Sequence, residues 1–141
     1  MKPTGVFLIV DDDPDEQELI EISLKRLGHK NKVVFKNNGK EALEYLSSTE
    51  DPVFVILSDM NMPVMDGILF KKTIEVHPDL KEKAIPFIFH SNTSRREDII
   101  KAYELNIQGY FEKAMTLDGT TANLEKIIAF WTACIHPKNL K

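Results

Sequence analysis

The chain is 141 residues long, with 43% hydrophobic and 28% charged residues, the size and composition of one globular domain that buries a core without a metal or disulfide staple. Disordered, collagen-like and low-complexity classes are excluded, and so is a membrane span, because uninterrupted apolar stretches such as Val6-Phe7-Leu8-Ile9-Val10 fall far short of the ~18–20 residues needed. Net charge is −4, from 18 basic and 22 acidic residues, and five of the acids (Asp11, Asp12, Asp13, Asp15, Glu16) fall within positions 11–16.

With that cluster set aside, 17 acidic residues face 18 basic ones, so the acidity is local. No run of Lys or Arg is longer than two residues, which offers no basic face for nucleic acid. Cys134 is the single cysteine, which excludes an internal disulfide framework and fits a reducing compartment. Met1 is not followed by a basic-then-apolar leader, so the expected location is the cytoplasm.

The first predicted element is a strand over Val6 to Val10. The acidic cluster follows, then a helix with Ile20, Leu24 and Leu27 on one face, stopped by Gly28. Val33-Val34-Phe35 reads as a second strand, and Ala42, Tyr45 and Leu46 as the stripe of a second helix. Val53 to Leu57 is a third strand; Asp66 can cap a third helix carrying Phe70 and Ile74 and ending before Pro78. Ile85-Pro86-Phe87-Ile88-Phe89 is a fourth strand, followed by a helix capped by Thr93 or Ser94, with Ile99, Ile100 and Tyr103 as its stripe. Gly109-Tyr110-Phe111 is the fifth strand. The last helix places Leu124, Ile127, Ile128, Trp131 and Ile135 along one face, closed by Pro137. Phe130, Ala133 and Cys134 lie beside that stripe and either widen a buried face or extend an exposed one.

The first, third and fourth strands are apolar at nearly every position, the pattern of strands covered on both faces. Five strand–helix units with short connections imply an α/β doubly wound parallel sheet in a single domain over 1–141, with its core at about 5–136 and a polar tail at 137–141.

In such a sheet the site lies outside the carboxyl ends of the strands. There the sequence places Asp11, Asp12 and Asp13 after the first strand, and Ser58, Asp59 and Asn61 after the third. His90, Ser91 and Asn92 follow the fourth, and Glu112 and Lys113 the fifth. Carboxylates sharing a pocket repel unless a hard divalent cation with oxygen ligands neutralises them; Mg²⁺ needs only one or two carboxylates plus phosphate oxygens. A lysine and a hydroxyl serve as donors to phosphoryl oxygens. The ensemble reads as phosphoryl transfer onto an aspartate. Taken singly, each residue also reads as a turn, a cap or a surface side chain.

Three strings carry a family resemblance: Leu8-Ile9-Val10-Asp11-Asp12-Asp13-Pro14, then Ser58-Asp59-Met60-Asn61-Met62-Pro63-Val64-Met65-Asp66-Gly67, and Gly109-Tyr110-Phe111-Glu112-Lys113. With them the chain resembles a response-regulator receiver domain of two-component signalling, of the stand-alone, chemotaxis-regulator type. The resemblance implies a flavodoxin-like (βα)5 fold with strand order 2-1-3-4-5. It implies Asp59 as phosphoacceptor, Asp12 as a direct Mg²⁺ ligand, Asp11 acting mainly through metal-bound water, and Asn61 contributing its backbone carbonyl. It implies Ser91 and Tyr110 as the switch pair and Lys113 as the phosphoryl contact, paired with Asp59 beforehand. Asp13 is read as a helix cap.

The implied partners are a sensor histidine kinase or histidine phosphotransfer protein, and a downstream protein reading the fourth helix, fifth strand and fifth helix. Neither nucleic acid nor membrane is an expected partner, and a homodimer on phosphorylation is left open. The protein would not be a turnover enzyme, but would catalyse its own phosphorylation and dephosphorylation.

Two positions depart from the family pattern. Ala114 stands where proline usually follows the lysine, so the Lys113–Ala114 bond is expected either to be cis under strain or to be trans with the lysine re-aimed. Asn92 stands where a small residue is usual and is expected to alter phosphoryl lifetime. A haloacid-dehalogenase-like phosphatase fits less well: no acidic strand end follows Lys113, and the Asp59 loop goes unexplained. A flavodoxin-like flavin binder would need an uncharged first loop, and a receiver that does not cycle phosphate would normally have lost an acid, the aspartate or the lysine.

Overall fold

The computed structural model describes residues 5–92 and 95–137. The strands are β1 (Val6–Val10), β2 (Val33–Lys36), β3 (Val53–Ser58), β4 (Phe87–Ser91) and β5 (Gly109–Glu112). The helices are α1 (Pro14–Arg26), α2 (Gly39–Ser48), α3 (Gly67–Val76), α4 (Pro78–Glu82), α5 (Arg96–Tyr103) and α6 (Leu117–Ala133). All pairings are parallel, in the order β2-β1-β3-β4-β5, the doubly wound, flavodoxin-like arrangement expected.

Alternate strand residues feed two apolar layers. Phe7, Ile9, Val55, Leu57 and Ile88 pack with Ile20 and Leu24 of α1 and Leu124 and Ile127 of α6. Leu8, Val10, Ile56, Phe87 and Phe89 pack on the other face with Ala42, Leu46, Phe70, Ile74, Leu80 and Ala102 from α2 to α5. β1 and β4 are buried at every position, which is why their sequences show no alternation.

Three of the predicted helix boundaries form where the sequence placed them. Asp13 starts α1, its carboxylate accepting from Asp15 N–H at 2.9 Å, and Asp66 starts α3, accepting from Leu69 N–H at 2.8 Å. Gly28, at φ +70°, ends α1 with His29 N–H bonded to the Leu24 carbonyl. Thr93 and Ser94, expected to cap the fourth predicted helix, lie outside the described residues, as does the tail from 138 onward; the N-cap position of α5 is instead held by Arg95, one residue later.

The structure corrects three expectations. A sixth helix, α4, follows α3, because proline is tolerated in a first helical turn and Leu80 has a core site to fill. On α5, Ala102 is the buried residue while Ile100 (46% exposed) and Tyr103 (53%) face outward. The last helix stops at Ala133, leaving Ile135 beyond it and exposed; Phe130 is also exposed rather than part of a widened core face. After α6, buried His136 places Nε2 2.9 Å from the Ala84 carbonyl, just ahead of β4.

Candidate functional site

Parallel register delivers neighbouring strand ends to one edge. Val10 pairs with Ser58, Ser58 with Phe89, and Ser91 with Glu112. Backbone bonds carry the alignment one residue further: Asp11 N–H to the Lys36 carbonyl (2.9 Å), Asp59 N–H to Val10 (2.8 Å) and Lys113 N–H to Ser91 (2.9 Å). The three side chains therefore meet. Lys113 Nζ lies 2.8 Å from Asp11 Oδ2 and 3.1 Å from Asp59 Oδ2.

The acids are individually fixed. Asp11 Oδ1 accepts from Asp13 N–H at 2.9 Å, and its carbonyl accepts from Gln17 Nε2. Asp59 Oδ1 accepts from Met60 N–H at 2.7 Å, and its carbonyl accepts from Ser58 Oγ at 2.8 Å. Burial pushes the Asp11 carboxyl above its usual range, only partly offset by Lys113 and the Asp13 amide. Burial also opposes the Lys113 ammonium, but the hydrogen bonds and charges of Asp11 and Asp59 outweigh it, so Lys113 titrates above an ordinary lysine.

Asp12 is exposed at the mouth, and one oxygen each from Asp11, Asp12 and Asp59 lie within 4.8 Å of one another. Three hard oxygen donors against one ammonium are a donor set that fits a divalent cation such as Mg²⁺. Asn61 is exposed on the loop after Asp59, and Ser91 is buried at the end of β4. Tyr110 is half-buried, its ring centroid 6.0 Å from that of Phe89, and its hydroxyl is hydrogen-bonded with Ser91. The structure has no cis peptide bond among the described residues, so Lys113–Ala114 is trans. The lysine is nonetheless not re-aimed, because its Nζ still reaches both acids.

The loop after Asp59 closes tightly: Gly67 N–H donates to the Met60 carbonyl at 2.9 Å. A Cβ on Gly67 would sit 2.3 Å from the Asp59 carbonyl oxygen, so glycine is required by close approach.

Sequence reasoning gave no role to three residues beside the site. Gln17 holds the Asp11 carbonyl. Glu16 was legible only as part of the acidic run, yet it is buried. His90 is 2% exposed near the end of β4, its Nδ1 3.8 Å from Glu16 Oε1; the available signal was a histidine directly after an apolar run, which β4 extends to Ser91. Burial, reinforced by the Lys113 charge, lowers the His90 imidazole to about 4. An unfolded histidine titrates near ~6.5, so the unfolded state binds the extra proton first. Stability is then expected to fall by up to about 3 kcal/mol as pH drops from ~6.5 toward ~4. Urea melts across that range check it: His90→Phe should flatten the slope, and an unchanged slope would contradict it.

The match to known proteins follows the same residues. A family model for the response regulator receiver domain matches residues 7–125. The chain belongs to the response-regulator receiver family. This receiver is 31% identical over 122 residues to a chemotaxis protein CheY homolog of Campylobacter jejuni, covering 86% of this chain and 91% of the relative. The phosphorylated cyanobacterial phytochrome response regulator RcpA superposes with a TM-score of 0.85 at 27% identity, covering 94% of this chain and 98% of the other. The Mn²⁺-bound form of response regulator Rcp1, a protein of Synechocystis, gives 0.81 at 27% identity, covering 94% and 99%. The receiver is thus a signalling domain of two-component systems, with an acidic cluster suited to Mg²⁺. No helix among the described residues is long and apolar enough to cross a membrane.

Proposed function

We propose that this receiver is a Mg²⁺-dependent phosphoacceptor in which Asp59 takes the phosphoryl group from a phosphohistidine. The observation that carries the reading is the single Lys113 ammonium bridging Asp11 and Asp59, with the exposed Asp12 carboxylate completing an oxygen triad. Asp11, Asp12 and Asp59 would hold the cation with the Asn61 backbone carbonyl. When bound, Mg²⁺ supplies charge neutralisation on the phosphoryl oxygens.

An Asp59 carboxylate oxygen attacks phosphorus in line. A P–O bond forms, the donor's P–N bond breaks, and the leaving imidazole keeps the electron pair and takes up a proton. Lys113 passes from carboxylate to phosphoryl oxygens without leaving the pocket. Ser91 donates its hydroxyl to the same group and Tyr110, bonded to Ser91, follows. The change biases the face made by α5, β5 and α6, where Ile100, Tyr103 and Phe130 are exposed apolar contacts for a downstream protein. Water attack on the acyl phosphate resets the site; the protein catalyses both steps on itself. The donor is a sensor histidine kinase or a histidine phosphotransfer protein.

Incubation with acetyl phosphate or beryllofluoride and Mg²⁺ tests the reading. One equivalent of modification is expected in the native chain, abolished by chelator and by Asp59→Asn. Labelling that survives in Asp59→Asn would refute it, as would repeated turnover of p-nitrophenyl phosphate. A receiver that does not cycle phosphate would remain unmodified throughout. Asn92, exposed beside Ser91, bounds access of water to the acyl phosphate, so Asn92→Ala should change the dephosphorylation rate measured by phosphate release; equal rates would remove Asn92 from the account.

A further inference from the structure

Behind the phosphoacceptor pocket lies a contact that the proposed chemistry does not use. His90 and Ser91 are consecutive at the end of β4, but their side chains lie on opposite faces of the strand, as alternation requires. His90 points toward α1, where Glu16 sits in the first turn, directly after the loop that carries Asp11 and Asp12. Both ring nitrogens of His90 and Oε1 of Glu16 are buried and make no hydrogen bond among the described residues. Such groups are costly to leave unsatisfied. Their separation of 3.8 Å exceeds a hydrogen bond by under about 1 Å.

The two ends of this gap are tied to different parts of the site. Glu16 is fixed through the capped start of α1 and the Asp11–Gln17 bond. His90 is fixed through β4, whose last residue, Ser91, bonds Tyr110 and accepts from the Lys113 amide. A displacement at the β4 end is therefore a displacement across this gap. The charges of Lys113 and Asp59 both act on the His90 ring, and those of Lys113, Asp11, Asp13 and Asp59 on Glu16.

We propose that His90 is a positioning residue whose Nδ1–H closes onto the Glu16 carboxylate when Ser91 is drawn toward the phosphoryl group, latching β4 to α1. The inference rests on the phosphoacceptor reading. It adds a second contact to the switch, on the face of β4 away from Tyr110. The unsatisfied pair biases the chain toward the state in which the bond is made, and the latch stabilises that state.

The imidazole nitrogens of His90 report the bond without any substitution. On adding beryllofluoride and Mg²⁺ to ¹⁵N-labelled native protein, the ring is expected to move to the Nδ1–H tautomer. Beryllofluoride affinity, measured by calorimetry, should fall about 10-fold in His90→Phe and Glu16→Leu, the value of one hydrogen bond to a charged group. Glu16→Gln, which still accepts from Nδ1–H, should remain within about 3-fold of native, and the double variant His90→Phe/Glu16→Leu should be no weaker than either single one. A ring unchanged by beryllofluoride, additive losses, or a Glu16→Gln loss equal to that of Glu16→Leu would overturn the latch alone. Failure of the native chain to bind beryllofluoride would overturn the phosphoacceptor reading, and the latch with it.

Discussion

Lys113→Met is expected to destabilise the metal-free protein at neutral pH by about 3–5 kcal/mol, the usual cost of stranding a buried charge by removing its partner. Lys113 (5% exposed) is the cation shared by Asp11 (3%) and Asp59 (12%), and without it two carboxylates face each other out of water. The sign of the pH response follows. Burial already holds the Asp11 carboxyl above its usual range, and loss of the ammonium pushes it further up. A carboxyl raised in the folded state favours folding at low pH and loses that contribution as pH rises through its folded value. The variant should therefore regain stability as pH falls, and regain more than the native chain when Mg²⁺ is added. Urea melts in chelator at several pH values, repeated with Mg²⁺, measure both. A variant as stable as native at neutral pH in chelator would mean that the ammonium does not hold the pocket together.

Gly67→Ala is the second large effect. The added methyl would lie 2.3 Å from the Asp59 carbonyl oxygen, 2.6 Å from the Phe89 ring and 3.0 Å from the Met60 Cα. Two of these are backbone atoms, and the Asp59 backbone is pinned by its amide bond to Val10 and by Ser58 Oγ. Relief must come from moving the loop that carries Asp59. We expect a loss of about 3 kcal/mol, at the high end for an overpacked site, and slower modification of Asp59 in whatever fraction remains folded. Gly109→Ala is the control: its Cβ meets nothing closer than 3.9 Å and should shift the melt by under about 1 kcal/mol. Equal melts for the two variants would remove close approach as the reason for glycine at 67.

Most of the fold was legible because its signals are local. The unbroken apolar runs of β1, β3 and β4 announce burial on both faces, and Asp13, Asp66 and Gly28 mark helix ends through their own backbone geometry. Asp11, Asp59, Ser91 and Lys113 were legible as a group because parallel topology sends residues at strand ends to one edge. α4 was not, since five residues carry too little periodicity and Pro78 reads first as a terminator. Which side of α5 faces inward was also not legible: Ile99, Ile100 and Tyr103 form a stripe by spacing, but small Ala102 is the residue that fits against the sheet. The Glu16–His90 contact joins positions 74 residues apart, and nothing in either local sequence names the other.

The His136 anchor bears on how the molecule can be handled. Because His136 fastens to the Ala84 carbonyl ahead of β4, residue 137 leaves from the rim opposite the one that holds Asp59 and Lys113. A fluorescent reporter or an immobilising tether joined there hangs on the far side of the sheet. It leaves the rim that holds Asp59 and Lys113 unobstructed, whereas the same cargo inserted beside exposed Met115, two residues after Lys113, would crowd it.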